Sequence, residues 1–443
     1  MKAIPLPRTS LPALDPLLNG TLWQRWADSD RVFPLDDVRE GISYVRLKPD
    51  SSCRLVVLAP GRGSAEDPPP VFLLTLYPTL DRATIAFEKE SSRRHLVGSA
   101  GYEPFLCSEC FVVAVPYPND PEIPDLRHLY IPDRFRRTLA EILPDYPPEI
   151  WRIQRSLTKM ELLAYKPGRR AVYRIKVKIR RRVGDEKVRV RLHLKLETPS
   201  TCERSYGNLT AVHHAIGPGA GWRVPLPRGL IESRSVVATE WVEGISLAGL
   251  AAKGDGADFF GATGRALAGL HNLDLGLDHL LSPIEEGESL IALAGDLIQL
   301  LPDEEPRLRE LGRSLATGMS RLSLAPSAIA HGDFHLDQVL VSDGMPVIVD
   351  LDRTGRGYAA CDVGSFLAHG LEREVPADLT DAFLDGYRQV APHPLADELI
   401  TITTAAALFR RSVFPFRTLR PDWPQETLER IEQVEELLRR VSL

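Results

Sequence analysis

The sequence has few cysteines, an odd and sparse set of five in 443 residues. A small secreted domain that is stabilised by disulfides needs a denser and even set, so this class of protein is excluded. Cys107 and Cys110 have the CxxC spacing of a zinc ligand pair, but no second pair follows, and a structural zinc site needs four ligands. We therefore interpret the cysteines as buried or incidental thiols, with zinc at this pair as the less favoured alternative.

The sequence also lacks an apolar run of about 18 residues, which a transmembrane helix needs. Prolines interrupt the first 20 residues, so no signal peptide is predicted. The net charge of -6 and the pI of about 6.0 do not favour nucleic-acid binding, which usually requires a clustered basic surface. We therefore predict a cytoplasmic protein without a membrane or nucleic-acid partner.

Lysine is scarce as well, because it accounts for only ten of the 54 basic residues, and none follows Lys253. The remaining 44 basic residues are arginines. A lysine that contacts a phosphate group must therefore lie within the first 253 residues.

Three regions of different composition follow one another along the chain. Residues 1–150 alternate strand-like segments, rich in branched and aromatic residues, with proline-rich turns. Residues 151–245 contain further strand-like segments, whereas in residues 246–443 apolar residues recur at helical spacing. We therefore predict an α+β protein that consists of an N-terminal β-rich cap, a β-rich lobe and a helical lobe.

The two β-rich regions resemble each other in sequence. Lys48-Pro49 aligns with Lys166-Pro167, and Thr75 then aligns with Lys195 with a difference of only two residues in spacing. We interpret this similarity as an internal duplication, with chance similarity between two β-meanders as the alternative. If the two regions are duplicates, Thr75 stands in the cap where Lys195 stands in the second region. The cap has then lost this lysine, and we expect it not to be catalytic.

The strongest chemical signal is the segment AHGDFHLDQVLV at residues 330–341. It contains a tight turn with Asp333, then Gln338, then a short apolar strand, and after a turn a second strand ends at Asp350. A strand-turn-strand unit would bring Gln338 and Asp350 to the same end of a hairpin. Phosphoryl transfer from ATP needs such groups, because one carboxylate orients the attacking hydroxyl while an amide oxygen and another carboxylate hold Mg²⁺.

This segment resembles the catalytic loop and metal-binding strand of the aminoglycoside phosphotransferase and choline kinase superfamily, whose fold is similar to that of the protein kinases. The resemblance implies a two-lobed fold, with Asp333 as the catalytic base and Asp350 as the main Mg²⁺ ligand. Gln338 takes the place of a metal-binding asparagine, as in a subfamily with Asp-Gln in the loop. His331 would be structural, and Asp362 would brace the catalytic loop.

Further segments resemble other parts of this superfamily, and the similarity extends over about residues 155–440. The segment with Glu240 and Val242 resembles the hinge whose backbone binds adenine. Lys195 resembles the strand lysine that holds the ATP phosphates, and Glu203 would be its partner on the following helix.

Two positions depart from the superfamily pattern. Gln338 still offers an amide oxygen, one methylene further from the backbone, so it remains suitable as an Mg²⁺ ligand. The turn at residues 166–170 has one glycine, whereas protein kinases have a glycine-rich loop over the phosphates. Arg169 and Arg170 are either additional phosphate contacts or exposed turn residues.

The resemblance implies an ATP- and Mg²⁺-dependent phosphotransferase whose acceptor is a hydroxyl of a small molecule, such as a sugar, an aminoglycoside or an amino-alcohol. A nucleotide-binding pseudokinase is the alternative, which the degenerate cap and Gln338 favour. A peptide serine kinase is less favoured, because no APE-like motif follows Asp350. The sequence indicates neither the acceptor nor the oligomeric state.

Overall fold

A computed structural model describes most of the chain: residues 11–14, 16, 42–48, 51–58, 71–93, 103–154, 158–254, 256–324, 327–391 and 393–441. Most of the first 20 residues, where the absence of a signal peptide is predicted, lie outside these ranges. The described residues divide into a β-rich unit, within residues 1–203, 228–241 and 415–424, and a helical unit, within residues 204–227, 242–414 and 425–443.

The β-rich unit contains two antiparallel sheets, and the described residues between 42 and 142 form the first sheet and its helices. Its elements are β1 (Ile42–Lys48), β2 (Ser52–Leu58), β3 (Val71–Leu76), helix α1 (Leu80–Ser91), β4 (Phe105–Cys107), β5 (Val112–Pro116) and helix α2 (Pro132–Ile142). The strand order is β1-β2-β3-β5-β4. Helix α1 begins at the N-cap Thr79, whose side chain accepts a hydrogen bond from the Arg82 amide.

The second sheet is longer and more basic. Its strands are β6 (Trp151–Ile153), β7 (Lys159–Lys166), β8 (Arg170–Arg181), β9 (Lys187–Glu197), β10 (Pro227–Ile231) and β11 (Val236–Glu240), with helix α3 (Pro199–Ala215) after β9. The strand order is β10-β11-β9-β8, and both β6 and β7 pair with β8.

Apart from the additional strand β6 in the second sheet, the two sheets share one topology. In β1–β5 and in β7–β11, three strands are followed by a helix and two strands, and the fifth of these strands lies between the third and the fourth. Their registers agree as well. Thr75 pairs with the third residue of β2 and the second residue of β5, and Lys195 pairs with the third residue of β8 and the second residue of β11. Pro49 lies outside the described residues. The shared topology and register favour an internal duplication over chance similarity.

The two sheets also contribute to one hydrophobic cluster. This cluster contains residues from the first region, among them Val56, Tyr117, Leu126 and Phe135, and residues from the second, among them Tyr165, Tyr173, Leu194 and Ala238. The cap and the second sheet therefore share a core. The division of the chain at residues 150 and 245 stays a prediction.

The helical unit contains most of the helices and several short strands. The helices are α4 (Leu247–Ala251), α5 (Ala257–His271), α6 (Pro283–Leu300), α7 (Glu305–Ser320), α8 (Ala359–Glu372), α9 (Ala377–Val390) and α10 (Asp397–Arg411), and the chain continues with α11 (Phe414–Arg417) and α12 (Trp423–Arg439). The strands are β12 (Ile245–Ser246), β13 (Ser327–Ala330), β14 (Val339–Ser342), β15 (Met345–Ile348) and β16 (Gly355–Tyr358). The predicted α+β class, with a β-rich N-terminal region and a helical C-terminal part, is confirmed. Among the described residues, no helix combines the length and the apolar character that crossing a bilayer requires.

Stacked aromatic rings form part of the core of the helical unit. The rings of Phe366 on α8 and Phe383 on α9 lie 3.8 Å apart between centroids, and Phe334 stacks on Phe366 at 5.8 Å. All three side chains are fully buried. Because Phe334 directly follows Asp333 in sequence, this stack fixes one side of the predicted catalytic loop.

Glycines allow helices α5 and α9 to approach closely. A Cβ atom at Gly264 would lie 2.0 Å from the Phe383 carbonyl oxygen, and one at Gly386 would lie 2.0 Å from the Gly261 carbonyl oxygen. Neither distance is compatible with a side chain, so the two helices must separate if either glycine is replaced.

We predict that Gly264→Ala destabilises the protein by about 2 kcal/mol, because the added methyl group overpacks the contact between α5 and α9. The matched control is Gly295→Ala on α6, where a Cβ atom would meet no atom of the described residues within 4 Å. This control should stabilise the protein by roughly 0.5–1 kcal/mol, since it only replaces glycine by a better helix former. Urea unfolding of both full-length variants provides the measurement, and equal midpoints would contradict the close helix contact.

Candidate active site

The predicted hairpin brings Gln338 and Asp350 together. Strands β14 and β15 pair antiparallel, with Val339 opposite Ile348, and the Val349 amide donates to the Gln338 carbonyl oxygen at 2.9 Å. Gln338 Nε2 donates to Asp350 Oδ2 at 3.3 Å. The amide therefore holds the carboxylate through its NH₂ group, and its oxygen is the atom that suits a cation.

The predicted catalytic residue Asp333 lies on a turn that requires glycine. Gly332 has a φ of +81°, and a Cβ atom there would lie 2.7 Å from the Arg353 carbonyl oxygen. The backbone amide of Asp333 donates to His331 Nδ1 at 3.3 Å, while its carboxylate side chain is exposed. The turn thus fixes the backbone of Asp333 and leaves its carboxylate accessible.

His331 connects this turn to the strand that precedes Asp350. The imidazole is fully buried, and its Nε2 donates to the Val349 carbonyl oxygen at 2.9 Å. Because Nδ1 accepts the Asp333 amide, the two contacts require the neutral tautomer with the proton on Nε2. One side chain therefore sets the spacing between the backbones next to Asp333 and Asp350, in keeping with its predicted structural place.

Asp362 braces the catalytic turn from the first turn of helix α8. Its buried carboxylate accepts hydrogen bonds from the backbone amides of His331 at 2.6 Å and Gly332 at 2.9 Å, and from His271 Nε2 at 3.1 Å. Burial acts to raise the pKa of Asp362, but the interactions with His271 and His331 outweigh it and hold the pKa below its usual value. His271 is itself fixed by the Tyr387 hydroxyl, 2.9 Å from Nδ1.

The backbone at Asp350 is left-handed, with a φ of +63° and a ψ of 55°. Such a conformation costs a non-glycine residue roughly 1–2 kcal/mol, so neighbouring contacts must hold it. Asn208 on α3 provides them, because its Nδ2 donates to the carbonyl oxygens of Leu351 at 3.2 Å and Thr354 at 2.8 Å. Our sequence reasoning missed Asn208. The only signal in the sequence was an asparagine within a helical segment, where this residue type is disfavoured.

Lys195 occupies the predicted position on β9 of the β-rich unit and is buried. Its Nζ lies 3.9 Å from Glu197 Oε1, and both side chains are less than one-tenth exposed. Glu203, the predicted partner, is exposed on α3. The structure thus adds Glu197 as an acidic neighbour of this lysine, and the role of Glu203 stays a prediction.

The predicted hinge begins at the end of β11, an inner strand of the same sheet. Glu240 is the last residue of β11 and is half-buried, and Val242 follows two residues later and is buried. Between them, the Trp241 amide donates to the Arg191 carbonyl oxygen at 3.1 Å, and the Arg174 guanidinium lies 5.1 Å from the Trp241 ring centroid. The adenine contact of this segment stays a prediction.

A second group of side chains lies beside the catalytic loop. Nitrogen or oxygen atoms of His335, Asp337 and His369 lie within 4.8 Å of one another, a spacing that a metal ion would accept. Arg373, however, lies beside this group, with its Nε 3.4 Å from His369 Nε2, and its Nη2 donates to Asp337 Oδ2 at 3.3 Å. Because this guanidinium already supplies a positive charge to the group, we assign no metal to it.

The structure thus has a carboxylate on a braced glycine turn and a hairpin end that carries an amide and a second carboxylate, which are the groups that the sequence analysis predicts for phosphoryl transfer. Residues 176–398 match the sequence model of the family described as "Phosphotransferase enzyme family". The match spans half of the chain, and the protein belongs to this family. The predictions of the superfamily and of a small-molecule kinase are thereby confirmed at the level of the family, and the cap lies outside the matched residues.

Solved structures similar to this chain include choline kinases and antibiotic phosphotransferases. The choline kinase from Cryptosporidium parvum Iowa II has 10% sequence identity and a TM-score of 0.46, over 70% of this chain and 96% of that chain. The choline kinase LicA from Streptococcus pneumoniae has 13% identity and a TM-score of 0.46, over 70% and 100%. The macrolide 2'-phosphotransferase MphH from Brachybacterium faecium has 16% identity and a TM-score of 0.41, over 63% and 93%. A search of curated protein sequences finds no match.

We predict that His369 makes the stability of the protein fall with decreasing pH. The buried His369 Nδ1 accepts the Leu336 amide at 3.2 Å, and burial together with Arg411, His335 and Arg373 lowers the pKa of His369 from 6.5 to about 2. Between these values the unfolded chain binds a proton that the folded chain does not, so the free energy of unfolding decreases as pH falls. The slope has a ceiling of about 1.4 kcal/mol per pH unit.

His369→Asn keeps an acceptor for the amide but cannot titrate, so its unfolding free energy should fall less than that of the wild type between pH 7 and pH 5. His214→Asn, at an exposed position on α3, is the control for loss of a histidine and should keep the wild-type slope. Urea unfolding at several pH values gives the slopes, and identical slopes for His369→Asn and wild type would refute the assignment.

Proposed function

We propose that the protein transfers the γ-phosphoryl group of ATP, in the presence of Mg²⁺, to a hydroxyl of a small molecule such as a sugar, an aminoglycoside or an amino-alcohol. The observation that carries the proposal is the arrangement around His331. Its imidazole ties the turn of Asp333 to the backbone of Val349, directly before Asp350, and Gln338 contacts Asp350. Membership in the phosphotransferase enzyme family supports the same reaction.

In the proposed reaction, the exposed Asp333 carboxylate orients the acceptor hydroxyl and accepts its proton as the oxygen attacks the γ-phosphorus. The bond from the γ-phosphorus to the bridging oxygen breaks, and ADP leaves with that oxygen. The brace from Asp362 holds the turn, so Asp333 needs little rearrangement when the acceptor binds.

The donor set at the hairpin end fits Mg²⁺. This ion prefers oxygen ligands and usually takes one or two protein carboxylates together with substrate phosphates and water. Asp350 supplies a carboxylate and Gln338 an amide oxygen, and these two residues would hold the ion. Bound there, Mg²⁺ would neutralise charge on the phosphates.

The nucleotide contacts in the proposal come from the β-rich unit and the segment that follows it. Lys195 would pair with the phosphates, and the buried Glu197 next to it would hold its ammonium group in place. Glu203 would reinforce this lysine, and the backbone at Glu240 and Val242 would bind adenine.

The test of the proposal is transfer of labelled γ-phosphate from ATP to a pooled set of sugars, aminoglycosides and amino-alcohols. We expect Asp333→Asn to lower the transfer rate by roughly 100- to 10,000-fold, because proton acceptance by a placed base is lost. Asp337→Asn is the matched control, since this exposed carboxylate lies on the same loop and pairs with Arg373. It should retain most of the activity.

Equal loss in both variants would point to damage of the loop and not to a catalytic base. Binding of Mg·ATP without transfer to any acceptor, in the wild type, would instead favour the nucleotide-binding pseudokinase.

A separate prediction concerns the metal. Asp350→Asn should raise the Mg²⁺ concentration for half-maximal activity by about tenfold or more, because the site loses its charged ligand. Gln338→Asn keeps the amide oxygen and should raise it less than Gln338→Leu, which removes that oxygen. Asp343→Asn, at the exposed turn of the same hairpin, is the control and should behave as wild type. An unchanged Mg²⁺ dependence in Asp350→Asn would eliminate the assignment.

A further inference from the structure

The turn between β7 and β8 is held by a carboxylate from the cap. The Gly168 amide donates to Asp120 Oδ2 at 2.8 Å, and the Tyr165 hydroxyl donates to the same oxygen at 2.8 Å. The second oxygen, Oδ1, accepts the Glu122 amide at 2.9 Å. Asp120 is 4% exposed, so three hydrogen bonds satisfy a carboxylate that water barely reaches.

A second carboxylate lies against the same glycine. A Cβ atom at Gly168 would lie only 1.7 Å from Glu122 Oε2, and Gly168 has a φ of +65°. Arg54 on β2 holds Glu122 in this place, with an Nη2 to Oε1 distance of 3.1 Å. Glycine is therefore required at residue 168 both by its backbone conformation and by the approach of the cap.

The residues that make this contact occupy a defined place in the duplicated unit. They follow β5, which corresponds to β11, so Tyr117 follows β5 as Trp241 follows β11. The segment with Asp120 is thus the cap's counterpart of the predicted hinge. The Tyr117 ring also packs edge-on against Tyr165, with centroids 5.1 Å apart. In the cap, this segment contacts the neighbouring sheet where its counterpart would contact a nucleotide.

In kinase-type sites the corresponding turn lies over the ATP phosphates. Here the Gly168 amide is already bonded to a protein carboxylate, so it is not available to a phosphate. The turn is instead ordered before any nucleotide arrives. A turn that is already ordered does not lose conformational entropy on binding, and this strengthens nucleotide affinity.

We propose that Asp120 is a positioning residue for nucleotide binding, through which the cap holds the β7–β8 turn in one conformation before the nucleotide binds. The inference rests on the proposed function. It assigns the cap a task in the reaction that does not require the cap to bind a ligand of its own.

A control variant can separate the effect of the contact at the turn from the effect of general cap packing. Thr138 on α2 accepts a hydrogen bond from Arg234 Nη1 at 3.0 Å, and Arg234 lies between β10 and β11. Strand β10 is at the sheet edge opposite to β7 and β8. Thr138→Val therefore removes a contact between the cap and the second sheet without touching the turn.

The experiment compares full-length wild type, Asp120→Ala, Asp120→Asn and Thr138→Val. Amide hydrogen exchange of residues 166–170, without nucleotide, should accelerate by about tenfold or more in Asp120→Ala, because the Gly168 amide loses a charge-assisted hydrogen bond. The Kd for Mg·ATP should rise by about tenfold, while the KM for the acceptor stays unchanged. Asp120→Asn keeps an acceptor oxygen and should recover part of both effects, and Thr138→Val should show neither.

Other results would overturn either the role of Asp120 or the proposed function. Unchanged exchange in Asp120→Ala, or faster exchange with an unchanged Kd, overturns the role of Asp120 and leaves the proposed function standing. Equal effects in Asp120→Ala and Thr138→Val also overturn it, since general cap packing would then be the cause. A wild-type protein that binds no nucleotide overturns the proposed function, and the role of Asp120 with it.

Discussion

The predicted catalytic loop depends on the buried carboxylate of Asp362. It accepts two consecutive backbone amides of the loop and one imidazole, and a carboxylate at the first turn of a helix is further stabilised by the helix dipole. If the carboxylate were removed, these buried donors would lose their partner, and each such loss costs about 1–3 kcal/mol. The backbone of the turn then fixes His331, and His331 fixes the strand before Asp350. The geometry of the site is thus transmitted from helix α8, whose own position is held by the aromatic stack at Phe366.

The contacts among candidate site residues that the sequence predicted correctly are local ones. Gln338 and Asp350 are twelve residues apart, and a hairpin of two short strands brings them together whatever the rest of the fold does. The glycine turn at Gly332 is equally local. In the same way, the two β-rich regions were found because their turns and strands repeat at nearly constant spacing. The shared strand topology and register of the two sheets then showed that the similar segments also correspond in structure.

Long-range contacts were not accessible in this way. Asn208 reaches the backbone after Asp350 across more than 140 residues, and nothing in the helix sequence around it indicates the partner. Glu197 was missed for another reason. It lies two residues from Lys195 on the same strand, hence on the same face, but the resemblance directed attention to Glu203 on the following helix. The hydrogen bond between Asp120 and Gly168 joins the cap to the second β-rich region. The sequence of either region, considered alone, does not indicate this contact.

The cap has the strand topology and register of the second sheet without the lysine that is predicted to bind phosphates. Thr75 stands in the register of Lys195, and the residue directly opposite it on β2 is Arg54. Directly opposite residues of an antiparallel pair project from the same face of the sheet, so the cap retains a cation close to the place of the lost lysine. The partner of this cation is Glu122, a carboxylate of the cap itself, and not a phosphate. Glu122 in turn lies against Gly168 in the turn between β7 and β8. In the cap, the positive charge of Arg54 therefore holds a carboxylate that contacts this turn, whereas a cation at this place in a catalytic lobe would bind a nucleotide. The residue at position 75 must therefore be uncharged, as threonine is. A second cation there would compete with Arg54 for Glu122 and weaken the contact with the turn.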